Sequence, residues 1–177
     1  TISSPILVGV ESFKLYGDDR LSYLAVIDGK KVAGIWKRDW KEPFVIGTFA
    51  TDSTPVIRIS RYFNKDTVVL TDGKNMTIYR GDISDSKDRQ KEFLKTAKII
   101  KTDNTITNIT MDNAWRFIVA QSGAVLQTYD LERKELSGAF NICVAQEVKW
   151  LDNFYIRSFS APGKMEIREV DGTNSHT

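Results

Sequence analysis

Four glycines, Gly29, Gly73, Gly123 and Gly163, each separate two runs of strand-forming residues, at intervals of 44, 50 and 40 residues. Glycine at the second position of Asp28-Gly29, Asp72-Gly73, Ser122-Gly123 and Pro162-Gly163 supplies the positive φ that a tight hairpin demands. Before the turns stand "SYLAVI", "DTVVLT", "RFIVAQ" and "NFYIRSFS"; after them stand "KKVAGIW", "KNMTIYR", "AVLQTYD" and "KMEIREV". The upstream runs are more uniformly apolar than the downstream ones, as expected of strands covered on both faces. The downstream runs alternate, with Met76 and Ile78 against Thr77 and Tyr79, and Met165 and Ile167 against Glu166 and Arg168. Such a period of two puts one set on each face of a sheet.

One strand earlier, "PVIRISRYFNKD", "ITNITMDNAWR" and "VAQEVKWLDNFY" each join a short apolar strand to a turn. Asn64, Asp66, Asp112, Asn113, Asp152 and Asn153 suit turns because their side chains bond nearby backbone. Aromatic residues lie beside each turn: Tyr62 and Phe63, Trp115, Trp150 and Phe154. The outermost strands, "EPFVIGTFA", "TAKIIKTD" and "ELSGAFN", are less regular, and "ILVGVESFKLY" opens the series. Four-stranded units repeating every 40–50 residues are the signature of a β-propeller. The expectation is therefore an all-β, β-propeller-like fold of about four blades of antiparallel strands, at approximately 5–54, 55–103, 104–143 and 144–177. Together they make a single propeller domain over 1–177 or a portion of a larger propeller. The last blade is expected to stop after its third strand, at "EVDGTNSHT".

Composition narrows the function. A 41% apolar and 11% aromatic content belongs to a folded protein, and 25 basic against 23 acidic residues leave a net charge of +2. That balance produces no whole-molecule field to recruit nucleic acid, so no nucleic-acid partner is expected. No run approaches the roughly 20 apolar residues that span a bilayer, so no membrane contact is expected within this segment. Cys143 is the single cysteine, flanked by apolar residues in "AFNICVAQEV", and reads as a buried thiol. His176 is the single histidine, at the next-to-last position of the sequence. Nitrogen–sulfur zinc sites and nucleophile–His–acid machinery both lack their parts, and no metal, cofactor or catalysis is expected. Asp28, Asp72, Asp112 and Asp152 read as turn formers, and "TDGKN" and "VDGTN" as plain Asp-Gly turns.

Two stretches are candidates for binding. "IWKRDWKEPF", 35–44, spaces Trp36, Trp40 and Phe44 by four, among Lys37, Arg38 and Lys41. Exposed, such rings stack on sugars or anchor a protein interface. The competing account buries Trp36 in the blade and lays Trp40 over the bend before the outer strand. "DISDSKDRQKEFLKTAKIIK", 82–101, is a charged insertion between third and fourth strands, with serine and aspartate to start a helix. Lys87, Arg89 and Lys91 make it a candidate partner-docking element, against the reading of a solvated helix.

The phrase "MDNAWRFIVAQSG…LQTYDLE" resembles the repeat of TolB-like and WD40-like bacterial propellers, in which an "SPDG-x-W" turn precedes the second strand. The closing "WLDNFYIRSFSAPGKMEIREVDGTN" is similar to the last repeats of membrane-anchored bacterial propeller proteins, some carrying a PEGA-type domain. The resemblance covers 55–177, and 5–54 more faintly. It departs from the pattern at "DNAW", and no Trp-Asp dipeptide ends a third strand. It supports the fold and assigns no activity; because rigid blades hold loops where recognition sits and the residues offer no stronger chemistry, the expectation is a non-catalytic protein–protein interaction or scaffold propeller of a larger cell-envelope protein with a protein partner. It also implies an extracytoplasmic setting and an anchor outside this sequence. The alternative is a carbohydrate-binding or glycoside-processing propeller using exposed aromatics and turn carboxylates.

Overall fold

The computed structural model describes residues 7–112, 114–142, 148–161 and 163–176. Cys143, Asn113 and Pro162, singled out in the sequence, lie outside the described residues. Sixteen strands form four antiparallel sheets, each of four strands in up-and-down order. Sheet 1 holds β1 (Val10–Tyr16), β2 (Arg20–Ile27), β3 (Lys30–Lys37) and β4 (Phe44–Phe49). Sheet 2 holds β5 (Ile57–Tyr62), β6 (Lys65–Asp72), β7 (Asn75–Gly81) and β8 (Lys98–Lys101), with helix α1 (Lys87–Lys95) between the last two. Sheet 3 holds β9 (Asn108–Met111), β10 (Phe117–Ser122), β11 (Val125–Asp130) and β12 (Glu135–Asn141). Sheet 4 holds β13 (Lys149–Trp150), β14 (Tyr155–Ala161), β15 (Lys164–Glu169) and β16 (Ser175–His176).

The four marker glycines lie at the reversals between second and third strands, with φ of 69, 58, 61 and 74°. Register refines the turn chemistry. Ile27 pairs with Lys30, so Asp28 (φ 50°) and Gly29 are both loop residues with positive φ, the type I′ pattern. Asp72 pairs with Asn75 and Ser122 with Val125, so Gly73 and Gly123 stand first in their loops, as a type II′ turn requires. Asp72 and Ser122 belong to the strands. The last sheet also differs from expectation: Ser175–His176 supplies a fourth strand, pairing Arg168 with Ser175 and Ile167 with His176.

The chain divides into two compact units, Thr1–Asp103 and Asn104–Thr177. In the first, Ala33, Ile35 and Phe44 of sheet 1 meet Ile59, Val68 and Leu70 of sheet 2 in one core that also takes Phe93 from α1. Burying such side chains contributes about 1.5–3 kcal/mol each. Phe93 holds the helix down, stacked on Tyr79 at 5.9 Å and edge-on to Phe44 at 6.2 Å. Thr96 closes the helix, its hydroxyl donating to Phe93 O at 2.7 Å and accepting from the Arg80 N–H at 3.0 Å. In the second unit, Phe117, Val119 and Leu126 of sheet 3 pack on Ile156 and Val170, and Trp150 rests on the same core. The Trp150 indole donates to Thr110 Oγ1 at 3.0 Å.

Turn carboxylates act on backbone. Asp112 is fully buried and accepts from the amides of Phe117 (2.7 Å) and Ala114 (3.1 Å). Burial pushes its carboxyl above the usual range, though these amides oppose the shift. Asp152 accepts from the amides of Phe154 (2.7 Å) and Tyr155 (2.8 Å), fixing the start of β14.

Candidate functional site

Within the first unit, the two candidate stretches come together. Lys87 of α1 pairs with Glu42 in the β3–β4 turn at 3.0 Å. Phe44, which the spacing offers as a binding ring, is only 4% exposed and belongs to the core. Trp36 and Trp40 are half-buried; the Trp36 indole donates to Trp40 O at 3.1 Å, and Trp40 packs on the core. This arrangement follows the competing account, in which Trp40 covers the bend. Lys87, Arg89 and Lys91 are exposed. Lys91 has Asp88 at 3.7 Å and Lys95 has Glu92 at 2.6 Å, so acidic neighbours offset much of the helix's basic charge.

The gap between sheets 1 and 2 at this end is plugged. Arg20, at the start of β2, reaches across to Asp66, at the start of β6, at 3.2 Å. Both side chains are about nine-tenths buried. Asp66 also accepts the Ile83 amide at 3.3 Å and has Arg61 at 3.5 Å. Trp36, Trp40 and Ile83 close over this pair, leaving a void of about 10 Å³.

The corresponding place in the second unit is open. A cleft of about 430 Å³ lies between the starts of β10 and β14 and the ends of β11 and β15. On the sheet 3 side, Arg116 turns back to its own hairpin. Its guanidinium forks onto Asp130 at 3.1 and 2.6 Å, and its third nitrogen reaches Glu132 at 2.6 Å. Asp130 also accepts the amides of Glu132 (2.8 Å) and Arg133 (3.2 Å). Burial pushes the Asp130 carboxyl up, but these donors outweigh it and the carboxyl lies below its ordinary range. Bidentate, charge-assisted pairs of this kind are geometrically rigid. Arg116 also covers the Phe117 ring, 4.8 Å from its centroid.

The sheet 4 side carries an aromatic and a carboxylate. Phe154 is 52% exposed at the cleft, braced edge-on against Phe117 at 6.0 Å. Tyr155 and Glu169 are directly opposite in the β14–β15 ladder, and the phenol donates to Glu169 at 3.2 Å. The turn after β15 wraps the same carboxylate, with Asn174 Nδ2 at 3.0 Å and Thr173 Oγ1 at 2.9 Å. These side-chain bonds hold Glu169 below the usual carboxylate range; the Thr173 hydroxyl, with one hydrogen to share between the two carboxylates, and the Thr173 amide, 2.9 Å from Asp171, lower the Asp171 carboxyl too. The Thr128 hydroxyl on β11 ties the turn to sheet 3 by donating to Val170 O at 2.6 Å, fully buried.

"VDGTN", which reads as a plain turn, is therefore what positions Glu169. Phe154 was noticed only as one of the aromatics beside the turns. Arg116, Asp130 and Glu169 carry no signal of their own in the sequence: the Gly123 turn sets Asp130 against Phe117, and Tyr155 meets Glu169 only through a register shift between Phe159 and Ala161.

Among the described residues, no group of three or more His, Cys, Asp or Glu side chains is placed to hold a metal ion. No helix among them is long and apolar enough to cross a membrane. No family model matches the sequence, and no curated protein is similar to it. Solved structures are similar in fold. The C-terminal WD40 domain of Sif2 aligns with a TM-score of 0.54 at 10% identity, covering 89% of this chain and 44% of that one. The WD40 β-propeller domain of Doa1 aligns with a TM-score of 0.53 at 12% identity, covering 92% of this chain and 50% of that one. The chain spans about half the length of the propellers it matches. The fold is thus nearly all β and propeller-like, similar to that of WD40 β-propeller domains.

Proposed function

We propose that this chain is a non-catalytic interaction module that docks a segment of a partner protein in the cleft between sheets 3 and 4. The observation that carries this reading is the contrast between the two units. The same inter-sheet position is filled by Trp36, Trp40 and Ile83 in one and left open over about 430 Å³ in the other. An open cleft braced by rigid hydrogen-bonded walls and fronted by an exposed ring is where loops on a stiff scaffold place recognition. The WD40-type fold is compatible with such a role without assigning it. The resemblance of the repeat to envelope propellers supports placing the module in a larger extracytoplasmic, membrane-anchored bacterial protein.

The carbohydrate alternative finds one support, the exposed Phe154 ring beside carboxylates. Glycoside cleavage needs one carboxyl held protonated as an acid. Asp130, Glu169 and Asp171 are all held below their ordinary values, which favours binding over cleavage.

The test is capture from the native host's lysate with the 177-residue chain and its Phe154→Ala variant, followed by crosslinking mass spectrometry. Docking in the cleft predicts crosslinks from a captured protein to residues around 133–137 and 164–171 that disappear in the variant. Crosslinks confined to α1, unchanged by Phe154→Ala, would move the docking surface to Lys87, Arg89 and Lys91 and refute the cleft.

A further inference from the structure

Accepting the cleft as the docking site, its chemistry narrows what enters it. Arg116 is committed to Asp130 and Glu132 by three short contacts, so that side of the cleft is neutralised internally. Glu169 is different: its three hydrogen-bond donors, Tyr155, Thr173 and Asn174, are all neutral. These donors fix the carboxylate and keep it ionised without cancelling its charge. Asp171, held by Thr173, adds a second negative charge on the same wall. Arg133, 68% exposed at its side chain and 3.9 Å from Asp130, is a mobile cation whose charge also acts on Asp171. On the same side as the carboxylates, where the Val170 amide donates to Phe154 O at 2.8 Å, stands the Phe154 ring with half its surface free.

We infer that the cleft accepts a basic side chain of the partner peptide, arginine in preference to lysine. A guanidinium is planar, lies flat on an aromatic face and presents a fork of donors to a carboxylate, whereas an ammonium is a compact and strongly hydrated point charge. Phe154 would cover the plane of the guanidinium while Glu169 and Asp171 receive its N–H groups. The cleft has room for the side chain and its flanking backbone.

The experiment titrates the 15N-labelled 177-residue chain with N-acetyl-arginine amide and, separately, with its uncharged citrulline counterpart. The arginine compound is expected to shift the amides of Phe154, Tyr155 and 169–171 in a saturable way, with at least roughly tenfold tighter binding than citrulline. Glu169→Gln and Phe154→Ala should each weaken it severalfold while amide shifts in 108–111 and 118–121 of sheet 3 stay unchanged, which reports that the second unit is still folded. Equal binding of citrulline, or arginine shifts that Glu169→Gln leaves untouched, would overturn the inference. A random peptide display selected on the same chain, and counter-selected on Phe154→Ala, separates the two levels. Enriched Arg-containing peptides support both. Enriched peptides that lack basic residues keep the docking reading and refute the arginine preference, and no Phe154-dependent enrichment refutes the docking reading itself.

Discussion

Gly138 on β12 lies where sheet 3 meets the turn that carries Asp171, and a methyl group there has nowhere to go. An added Cβ would stand 2.0 Å from Asp171 O, 2.6 Å from its carbonyl carbon and 3.0 Å from its Cα. All three are backbone atoms, and ordinary contact begins near 3.4 Å, so the two chains must part by more than an ångström. Gly138 is also the ladder partner of Thr128, whose hydroxyl donates to Val170 O at 2.6 Å. Parting the chains stretches that buried bond beyond hydrogen-bonding range. Gly138→Ala should therefore cost about 1–3 kcal/mol for the overpacked contact and about 1–3 kcal/mol for the buried hydroxyl and carbonyl left unsatisfied. Thr128→Val alone should cost about 1–3 kcal/mol.

Because both substitutions break one bond, they should not add: in the Gly138→Ala background Thr128→Val should cost close to nothing. Hydrogen exchange by mass spectrometry suits the measurement, since peptides spanning 117–131 and 155–169 report the second unit alone and those spanning 57–81 serve as an internal control. Gly81→Ala is the matched comparison, since its methyl meets only side-chain atoms at ordinary contact, Phe93 Cδ2 at 3.4 Å, Phe93 Cε2 at 3.9 Å and Thr96 Cγ2 at 4.0 Å, and should change little. Unchanged exchange in Gly138→Ala, or full additivity with Thr128→Val, would refute the close approach that shapes the cleft.

Asp130→Asn should destabilise the second unit by about 1.5–3 kcal/mol at neutral pH by weakening the fork from Arg116. Since the folded carboxyl lies below its unfolded value of about 3.9, the stability it contributes is present above that pH and lost below it. The gap between wild type and variant should close as pH falls under about 4, read by exchange or denaturant melts. The Tyr23 hydroxyl is buried with no partner and its ionisation is pushed up to about 12 by burial, so Tyr23→Phe should be neutral or up to about 1 kcal/mol stabilising. An unfolded tyrosine ionises near 10, so wild type should lose stability between about pH 10 and 12 in a way the Phe variant does not. Arg133→Ala should tighten binding of N-acetyl-arginine amide by roughly two- to fivefold, because it removes the cation competing for Asp171. In the wild type that binding should persist until pH falls below the usual carboxylate range of about 4, where Glu169 and Asp171 protonate, among Arg116, Asp130, Arg133 and Tyr155. Weakening already at pH 5–6 would place the responsible group elsewhere.

The hairpins were legible because tight turns impose a backbone condition that one residue type meets: Gly29, Gly73, Gly123 and Gly163 all have positive φ. The helix in the third-to-fourth connection was legible too, since 82–101 departs from the strand pattern in charge and spacing and α1 forms at Lys87–Lys95. The outer strand of sheet 4 was not, because Ser175–His176 is too short to show any period. Phe44 illustrates a second limit. Spacing by four in "IWKRDWKEPF" suggests one aromatic face, but Trp36 lies on β3 and Phe44 on β4, and the turn between them sends Phe44 into the core. The cleft was hidden for a third reason: Glu169 reads as one more polar position in an alternating strand, and its role depends on Thr173 and Asn174 folding back. Register from the glycine turns sets Phe117, not Arg116, against Asp130, and a shift between Phe159 and Ala161 brings Tyr155 onto Glu169, so neither contact follows from turn spacing alone.

The two units separate what the repeat fixes from what it leaves free. Each places an arginine at the start of a second strand, Arg20 in one and Arg116 in the other. Arg20 spends its charge on Asp66 of the neighbouring sheet, and that bridge draws sheets 1 and 2 together beneath Trp40 and Ile83. Asp130, at the end of β11, offers Arg116 a partner within its own hairpin, so the guanidinium forks back onto its own sheet and the cleft beside sheet 4 stays open. Whether the gap closes thus depends on which sheet supplies the carboxylate, a choice the hydrophobic cores on either side do not make. Because the open gap follows from one self-satisfied ion pair, the surface it exposes is stable without a ligand. Its remaining charge, on Glu169 and Asp171, stays available to whatever enters.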